Sequence, residues 1–239
     1  MDFRLDELKS AMIIQTKKND IVANNLANVD TIGFKKDYTF FDAYRKQLEE
    51  VNNLSVHTVK DFSQGTFEDT NNPLDFALSG DGYFTVEFKG EEVYTRNGHF
   101  ELDNNGFLTD GEGNYVLGKQ GKINLTQNFD TISNIFVSGE GEIYVDDIPV
   151  DYFQITSFNK DTQVERLSGS VFKAKNPETV ESSSSDAFVM QGRIEKSNVN
   201  AVSEMVNLIE LQRSFESSQA TIKILDSTLS KASTQISRV

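Results

Sequence analysis

Apolar residues recur at three-four spacing near both ends of the chain, and the stretch between those ends follows a different pattern. Across 3–29, Leu5, Leu8, Met12, Gln15, Asn19, Val22, Leu26 and Val29 alternate by three and four, the spacing of a helix with a coiled-coil seam. Gln15 and Asn19 interrupt the seam, while Phe3, Ile13, Ile14 and Ile21 lie off it. A helix that is apolar on more than one side needs more than one partner. Across 199–238, Leu208, Leu211, Phe215, Ser218, Ile222, Leu225, Leu229, Ala232 and Ile236 hold the same alternation over four heptads, with Val202, Met205, Val206 and Ile209 adding apolar surface in front. This is the strongest periodic signal in the chain, and Ser197 or Asn198 is the expected cap of its helix.

The first helix ends in an unusual run. Asn24, Asn25 and Asn28 crowd one turn, followed by Asp30, Thr31 and Gly33. Such side chains compete for the backbone and favour caps and turns, and glycine admits the left-handed conformation that closes a helix. One reading is a frayed helix end and a turn. The other is a junction where a terminal helix hands over to an extended segment and the amides satisfy backbone groups. From 34 to 64 the pattern predicts an extended arm, with an aromatic patch at Tyr38, Phe40, Phe41 and Tyr44, at most one helical turn at 41–48, and a short strand at 56–59.

From Gly65 the texture changes to short alternating runs, with strands expected at 76–78, 83–88, 92–95, 99–102, 115–117, 122–125, 132–137, 143–145 and 153–158. Asp81-Gly82, Lys89-Gly90, Asn97-Gly98, Asn105-Gly106 and Asp110-Gly111 punctuate them as turns. The four serines at 182–185 read as a linker or exposed loop. The expected fold class is α+β: N- and C-terminal helices pairing as a coiled coil, with an inserted all-β domain. The corresponding divisions are an N-terminal helix at 1–33, an arm at 34–65, the β domain at 66–188, and a C-terminal strand, turn and helix at 189–239.

Charge sharpens this division. The net charge is −14. Residues 1–50 carry eight basic and nine acidic side chains, and residues 190–239 carry six and five. The whole surplus of acid therefore sits in the middle, which disfavours nucleic acid and anionic membranes as partners, whereas near-neutral ends approach other copies without repulsion. The absence of cysteine excludes disulfides, thiolate zinc sites and cysteine nucleophiles. No run of 18 apolar residues occurs, and the acidic start M-D-F-R-L-D-E-L-K does not resemble a secretory signal peptide.

Candidate chemistry is sparse. His57 and His99 lack the companions of a metal site, and His99 is expected at the surface. Asp110, Glu112 and Asn114 alternate like calcium ligands, but Tyr115 stands where the loop needs glycine and Gly121 where it needs glutamate. Gly80-Asp81-Gly82 has no following helix start or lysine and reads as a turn. The serine run has no nucleophile elbow, and no carboxylate pair stands out among 37 acids. The expectation is a protein that is not an enzyme, with no cofactor, no metal and no small-molecule substrate.

Four blocks carry a family resemblance. The stretch at 23–36, A-N-N-L-A-N-V-D-T-I-G-F-K-K, resembles the N-terminal signature of flagellar rod, hook and hook-associated proteins. Asn72 to Val86, N-P-L-D-F-A-L-S-G-D-G-Y-F-T-V, is similar to that family's entry into its β domain. Tyr94-Thr95-Arg96-Asn97-Gly98, with Phe100, Leu102, Asp103 and Gly106, resembles the next block. Gln191-Gly192, Ser197-Asn198-Val199-Asn200, Glu204-Met205-Val206 and Gln212-Arg213-Ser214-Phe215-Glu216 resemble the C-terminal block. The chain departs from the pattern at 158–161, where Phe158-Asn159-Lys160-Asp161 lacks the family's proline.

The resemblance implies a structural subunit of the bacterial flagellar basal-body rod. Such subunits self-assemble into a hollow helical axial tube, with terminal helices inside and the β domain outside. It implies partners among other copies and other rod or hook proteins. It also implies export by the flagellar type III apparatus without a cleaved signal, and residence in the basal body. The short span from Gly33 to Gly65 and the small middle domain favour a proximal-type rod protein, with a distal rod protein or a short hook-type paralogue next; a non-polymerising coiled-coil adaptor is the reading from another class. The expected assembly interface comprises Leu5, Leu8, Met12, Ile13, Ile14, Val22, Asn24, Asn25, Leu26, Asn28, Gly33 and Phe34 at the N-terminal end. At the C-terminal end it comprises Asn198, Asn200, Met205, Val206, Leu208, Ile209, Leu211, Arg213, Phe215, Ile222, Leu225 and Leu229. Ile21 and Ile224 add apolar flanks.

Overall fold

The computed structural model describes residues 2–41, 56–126, 134–158, 164–176, 180–182 and 187–236. The expected turn at 41–48, most of the serine run and the departure at 158–161 lie largely outside these residues. The chain forms two compact units. One comprises Met1–Ala27, Lys36–Asp61 and Val199–Val239, the other Asn28–Lys35 and Phe62–Asn198.

The first unit contains helix α1 (Asp2–Ala27), strands β1 (Asp37–Phe41) and β2 (Val56–Lys60), and helix α2 (Ala201–Ile236). α1 and α2 lie side by side, and Gln15 Nε2 donates to Ser214 Oγ at 2.6 Å. They run antiparallel: Val22 and Asn25 share a groove with Glu204 and Asn207, while Gln15 and Asn19 share one with Leu211 and Phe215. The described part of the arm holds two strands where the pattern predicts one short strand at 56–59. β1 pairs antiparallel with β2 from Asp37↔Lys60 to Phe41↔Val56. Aromatic and β-branched residues on both segments favour that pairing.

The second unit is built from short strands. In chain order these are β3 (Phe67–Asp69), β4 (Phe76–Ser79), β5 (Tyr83–Phe88), β6 (Glu91–Thr95), β7 (Phe100–Leu102), β8 (Leu108–Asp110) and β9 (Tyr115–Gly118). Then come β10 (Gly121–Lys122), β11 (Ile135–Val137), β12 (Glu142–Val145), β13 (Ile148–Tyr152), β14 (Ile155–Phe158) and β15 (Val164–Ser168). The series closes with β16 (Val171–Ala174), β17 (Val180–Ser182), β18 (Phe188–Gln191) and β19 (Arg193–Glu195). A 10-stranded sheet runs β15-β16-β6-β5-β9-β8-β7, with β10 beside β9 and with β14 paired to β5 and β17. β11, β12 and β13 form a separate antiparallel sheet, β18 pairs with β4, and β19 with β3.

The alternation of β5 explains the core. Phe84 and Val86 enter a large apolar cluster, whereas Tyr83 enters a smaller one with Tyr94, Phe172 and Ala174. Successive side chains of a strand point to opposite faces, so a strand buried on both faces feeds two cores. Phe84 packs edge-on against Phe100 and Phe153, with ring centroids 5.2 and 5.3 Å away. Between the two residues that enter the large cluster, the Thr85 and Thr156 hydroxyls meet at 2.9 Å.

The turn dipeptides act in different ways. Lys89-Gly90 joins β5 to β6 with φ of 53° and 84°, the twist-matched two-residue hairpin turn. Gly98 has no positive φ; a Cβ there would lie 1.8 Å from the Phe76 carbonyl oxygen, so its role is close backbone approach. The β12–β13 turn is Asp146-Asp147, with φ of 49° and 66°, a hairpin without glycine that the dipeptide pattern does not predict. Asp110 Oδ1 accepts from the Glu112 and Asn114 amides at 3.0 and 2.9 Å, and Oδ2 accepts from Asn114 Nδ2 at 2.9 Å. The calcium-like spacing there serves a loop closed on itself.

Candidate assembly surfaces

The 23–36 signature divides between the two units. In the helical unit, Asn25 is buried and its amide forms two bonds with one residue of β1. Nδ2 donates to the Asp37 carbonyl at 2.7 Å, and Oδ1 accepts from the Asp37 amide at 2.9 Å. The side chain thus supplies a donor and an acceptor to a strand residue, as a neighbouring strand would. Lys36 reaches the buried Glu204 carboxylate at 2.5 Å. Glu204 lies in the first turn of α2, where a negative charge suits the helix dipole. The cap of α2 is Asn200 rather than Ser197 or Asn198: Oδ1 accepts from the Ser203 amide at 3.0 Å and the carbonyl from the Glu204 amide at 3.0 Å.

In the β unit, residues 28–35 are held by a buried charge cluster. Lys35 is fully buried, and its ammonium contacts Glu195 Oε1 at 2.7 Å and the Ser63 carbonyl at 2.8 Å. Arg96 Nη1 reaches Glu195 Oε2 at 3.1 Å and the Leu78 carbonyl at 3.0 Å; Nη2 reaches the Gly80 carbonyl at 2.6 Å. The Gly65 amide also donates to Glu195 Oε1, at 2.9 Å. One carboxylate therefore faces two cations and a backbone amide, which compensates its burial. The Arg96 guanidinium sits 4.9 Å from the Tyr83 ring centroid. Burial pushes the Tyr83 phenol above its ordinary range, against the opposing pull of Arg96.

Gly33 and Phe34 complete this arrangement. Gly33 adopts φ of 68°, and a Cβ there would fall 2.5 Å from the Arg96 carbonyl carbon. Its amide donates to the Glu195 carbonyl at 2.7 Å. Phe34 is buried beneath the Arg166 guanidinium, 4.1 Å from its ring centroid, and Arg166 donates to the Lys35 carbonyl. Thr31 donates its hydroxyl to Asn28 Oδ1 at 3.1 Å. Asn198 donates its amide proton to the Phe34 carbonyl at 3.3 Å and its side chain to the Ser63 carbonyl at 3.1 Å.

The expected interface residues thus fall into distinct groups. Asn25, Gly33 and Phe34 are buried within the chain, Asn200 caps α2, and Asn28 and Asn198 support the 28–35 segment. Met12, Ile14, Val22, Leu26, Leu208, Leu211, Phe215, Ile222 and Leu225 are half-buried, while Asn24 and Arg213 are exposed. Leu5, Leu8 and Leu229 lie on the two helices. Val202, Met205, Val206 and Ile209 are 72%, 50%, 49% and 50% exposed. They fall at i, i+3, i+4 and i+7, one continuous helical face. Ile13 and Ile224 are exposed as well. Periodicity found the stripe but not Lys35, Arg96 and Glu195. All three lie within or beside the matched blocks, but their neighbours Lys36, Asn97 and Lys196 are polar and give no local sign of burial.

His99 is half-exposed, and its Nδ1 lies 2.6 Å from Asp75 Oδ1. No group of three or more candidate metal ligands occurs among the described residues, and no described helix is long and apolar enough to cross a membrane.

Comparison with known proteins follows the same blocks. Residues 5–35 match a family model described as flagella basal body rod protein. Residues 77–145 match the flagellar hook protein FlgE/F/G D1 domain, and residues 190–235 the flagellar basal body rod FlgEFG protein C-terminal family. The chain is 31% identical over 232 residues to the flagellar basal-body rod protein FlgF of Caulobacter vibrioides, covering 92% of this chain and 91% of that protein. It is 30% identical over 219 residues to FlgF of Mesorhizobium japonicum, covering 90% and 89%. It is 28% identical over 254 residues to the rod protein FlgG of Buchnera aphidicola subsp. Schizaphis graminum, covering 94% and 96%.

Proposed function

We propose, from the premise that this chain belongs to the flagellar basal-body rod protein family and is a structural subunit of that rod, that its helical unit is the part completed by other copies. The carrying observation is the exposed face of Val202, Met205, Val206 and Ile209. Complete burial of such a side chain from water stabilises by roughly 1.5–3 kcal/mol, and covering the exposed part of each contributes a share of that before ordering costs. A repeated heterologous contact that does not close on itself produces a helical filament, here a hollow axial tube in the basal body.

In this reading α1 and α2 pair along their seams as a coiled coil. The Gln15–Ser214 hydrogen bond and the half-burial of Met12, Val22, Leu211 and Phe215 support it. The β unit, with the net acidic part of the sequence, faces outward. Met205, Val206, Ile209, Ile13 and Ile224 contact neighbouring subunits, whether copies of this chain or other rod and hook proteins. The subunit passes unfolded through the type III export apparatus and needs no cleaved signal. It carries no catalytic role and no cofactor.

Ultracentrifugation and electron microscopy of the concentrated full chain test the proposal. The expected result is tubes or filaments whose formation Met205→Asp and Ile209→Asp abolish while the β unit keeps its fold. A chain that stays monomeric at every concentration favours the non-polymerising adaptor and contradicts the proposal.

A further inference from the structure

The polar interruptions of the α1 seam lie in a recess between the two helices. Gln15, Thr16 and Asn19 line it from α1, and Leu211, Phe215 and Glu216 from α2, enclosing about 370 Å³. Gln15 Oε1 and Asn19 Oδ1 are buried there and accept no hydrogen bond among the described residues. Such acceptors are costly when left unpaired. Gln15 donates its amide nitrogen to Ser214, so its oxygen is what it offers the recess. The half-buried Phe215 adds an aromatic wall, and the exposed Glu216 adds a carboxylate. A guanidinium suits this combination, because its planar fork donates to several oxygens while its face stacks on a ring. Arg166 and Arg96 of this chain already do both, over Phe34 and Tyr83.

α2 carries such a guanidinium. Arg213 is exposed, and among the described residues it has no ion pair or hydrogen bond. Val202, Val206, Ile209 and Arg213 fall at i, i+4, i+7 and i+11, so Arg213 ends the exposed apolar face. Glu216 follows three residues on, but a base placed before an acid is the weaker helical order, and the two do not pair within the chain. The nearby exposed charges on α1, Lys17 and Asp20, offset one another, so Glu216 sets the sign of the recess. Copies that repeat about a tube axis with one polarity run α2 of one antiparallel to α1 of the next. With Arg213 in the neighbour's recess, Val206 and Val202 then come roughly level with Ala23 and Ala27, at about 1.5 Å per residue. Both alanines are exposed, share the side of α1 that holds Thr16, and leave room for the valines.

We propose that the recess between α1 and α2 receives the Arg213 guanidinium of a second copy of this chain. Its N–H groups donate to Gln15 Oε1, Asn19 Oδ1 and the Glu216 carboxylate, and its face rests on Phe215. The contact joins two different surfaces and repeats from copy to copy. A polar group at a seam position fixes register at some cost in stability. Gln15 and Asn19 set how neighbouring copies align, while the apolar face of α2 supplies area. The inference rests on the reading of this chain as a polymerising subunit.

The test measures the critical concentration for assembly of the full chain by sedimentation. Arg213→Glu and Glu216→Lys each set like charges against one another across the contact, and each raises that concentration about tenfold or more. Mixed in equal amounts, the two variants assemble near the unaltered concentration, because every contact in an alternating stack then joins opposite charges. Recovery on mixing requires that the two side chains meet between copies, since a defect inside either chain is not repaired by the other. Circular dichroism of each variant monitors the fold. If the unaltered chain polymerises and either single variant matches it, or if mixing restores nothing, the recess contact is wrong and the assembly reading stands. If the unaltered chain forms no polymer, the assembly reading fails and this inference with it.

Discussion

The β unit and the helical unit dispose of their apolar residues in opposite ways. Among the described residues, every buried apolar side chain except Val199 belongs to the β unit. Its strands bury side chains on both faces of β5, and the most deeply buried of its carboxylates, Glu195, meets two cations. Its exposed apolar residues, including Phe136, Ile148 and Phe188, come from different strands. In the helical unit, four exposed apolar residues share one face of α2, and two buried carbonyl oxygens on α1 have no donor. The β unit buries its apolar residues within the chain, with Arg96 Nε left unpaired among the described residues, and the helical unit leaves a coherent set for something else to cover. A contiguous exposed apolar face marks an interaction site, whereas scattered exposed residues do not.

The largest effects belong inside the β unit. Phe84→Ala should cost about 3–5 kcal/mol in chemical denaturation, because it removes a ring from a fully packed cluster. Glu195→Ala should cost a similar amount, about 3–5 kcal/mol, by leaving Lys35 and Arg96 buried without their shared partner. A result near zero for Glu195→Ala would mean that the cations find water, and the β unit would then be less closed than its burial indicates.

Alkaline titration is the next way to separate the units. The Tyr83 and Tyr94 phenols are raised from 10.0, each mainly by burial. The unfolded chain therefore loses these protons at lower pH than the folded chain. Stability of the β unit falls as pH rises from 10.0 toward the raised values, and it is unaffected by these groups below that range. Tyr83→Phe should flatten the fall in denaturation experiments at several alkaline pH values. An unchanged slope would remove Tyr83 as a cause.

Smaller effects belong to the helical unit. Asn200→Ala removes the cap of α2 and should lower helix stability by about 1 kcal/mol, read as a loss of helical signal in the free chain. Val206→Ser on the exposed face should change free-chain stability by no more than about 0.5 kcal/mol, yet raise the concentration needed for assembly. Equal effects on both quantities would show that the face is packed within the chain.

What was legible in the sequence depended on range. The seam spacings located both helices, because helical period is a local property. Lys89-Gly90 declared its hairpin, since glycine there supplies a positive φ at no cost; Asp146-Asp147 adopts the same conformation without that marker. The Asn cluster suggested a junction, and Asn25 fulfils that role through Asp37, 12 residues on. Glu195 was illegible, because its partners are 160 and 99 residues away, and nothing local shows that a charge will be buried. The α2 cap moved from the expected Ser197 or Asn198 to Asn200 because Asn198 is engaged with Phe34 and Ser63. The exposed stripe was visible as excess apolar residues beside a seam.

Amide hydrogen exchange, read residue by residue on the free chain and on the assembled polymer, tests the contrast between the units most directly. Ordering a helix of this length costs tens of kcal/mol, and local opening follows the lack of buried apolar contacts. The account predicts strong protection across β4, β5, β6 and β9 in both states, with weak protection across α1 and α2 in the free chain that rises sharply on assembly. Protection of α1 and α2 in the free chain equal to that of β5, and unchanged in the polymer, would contradict it.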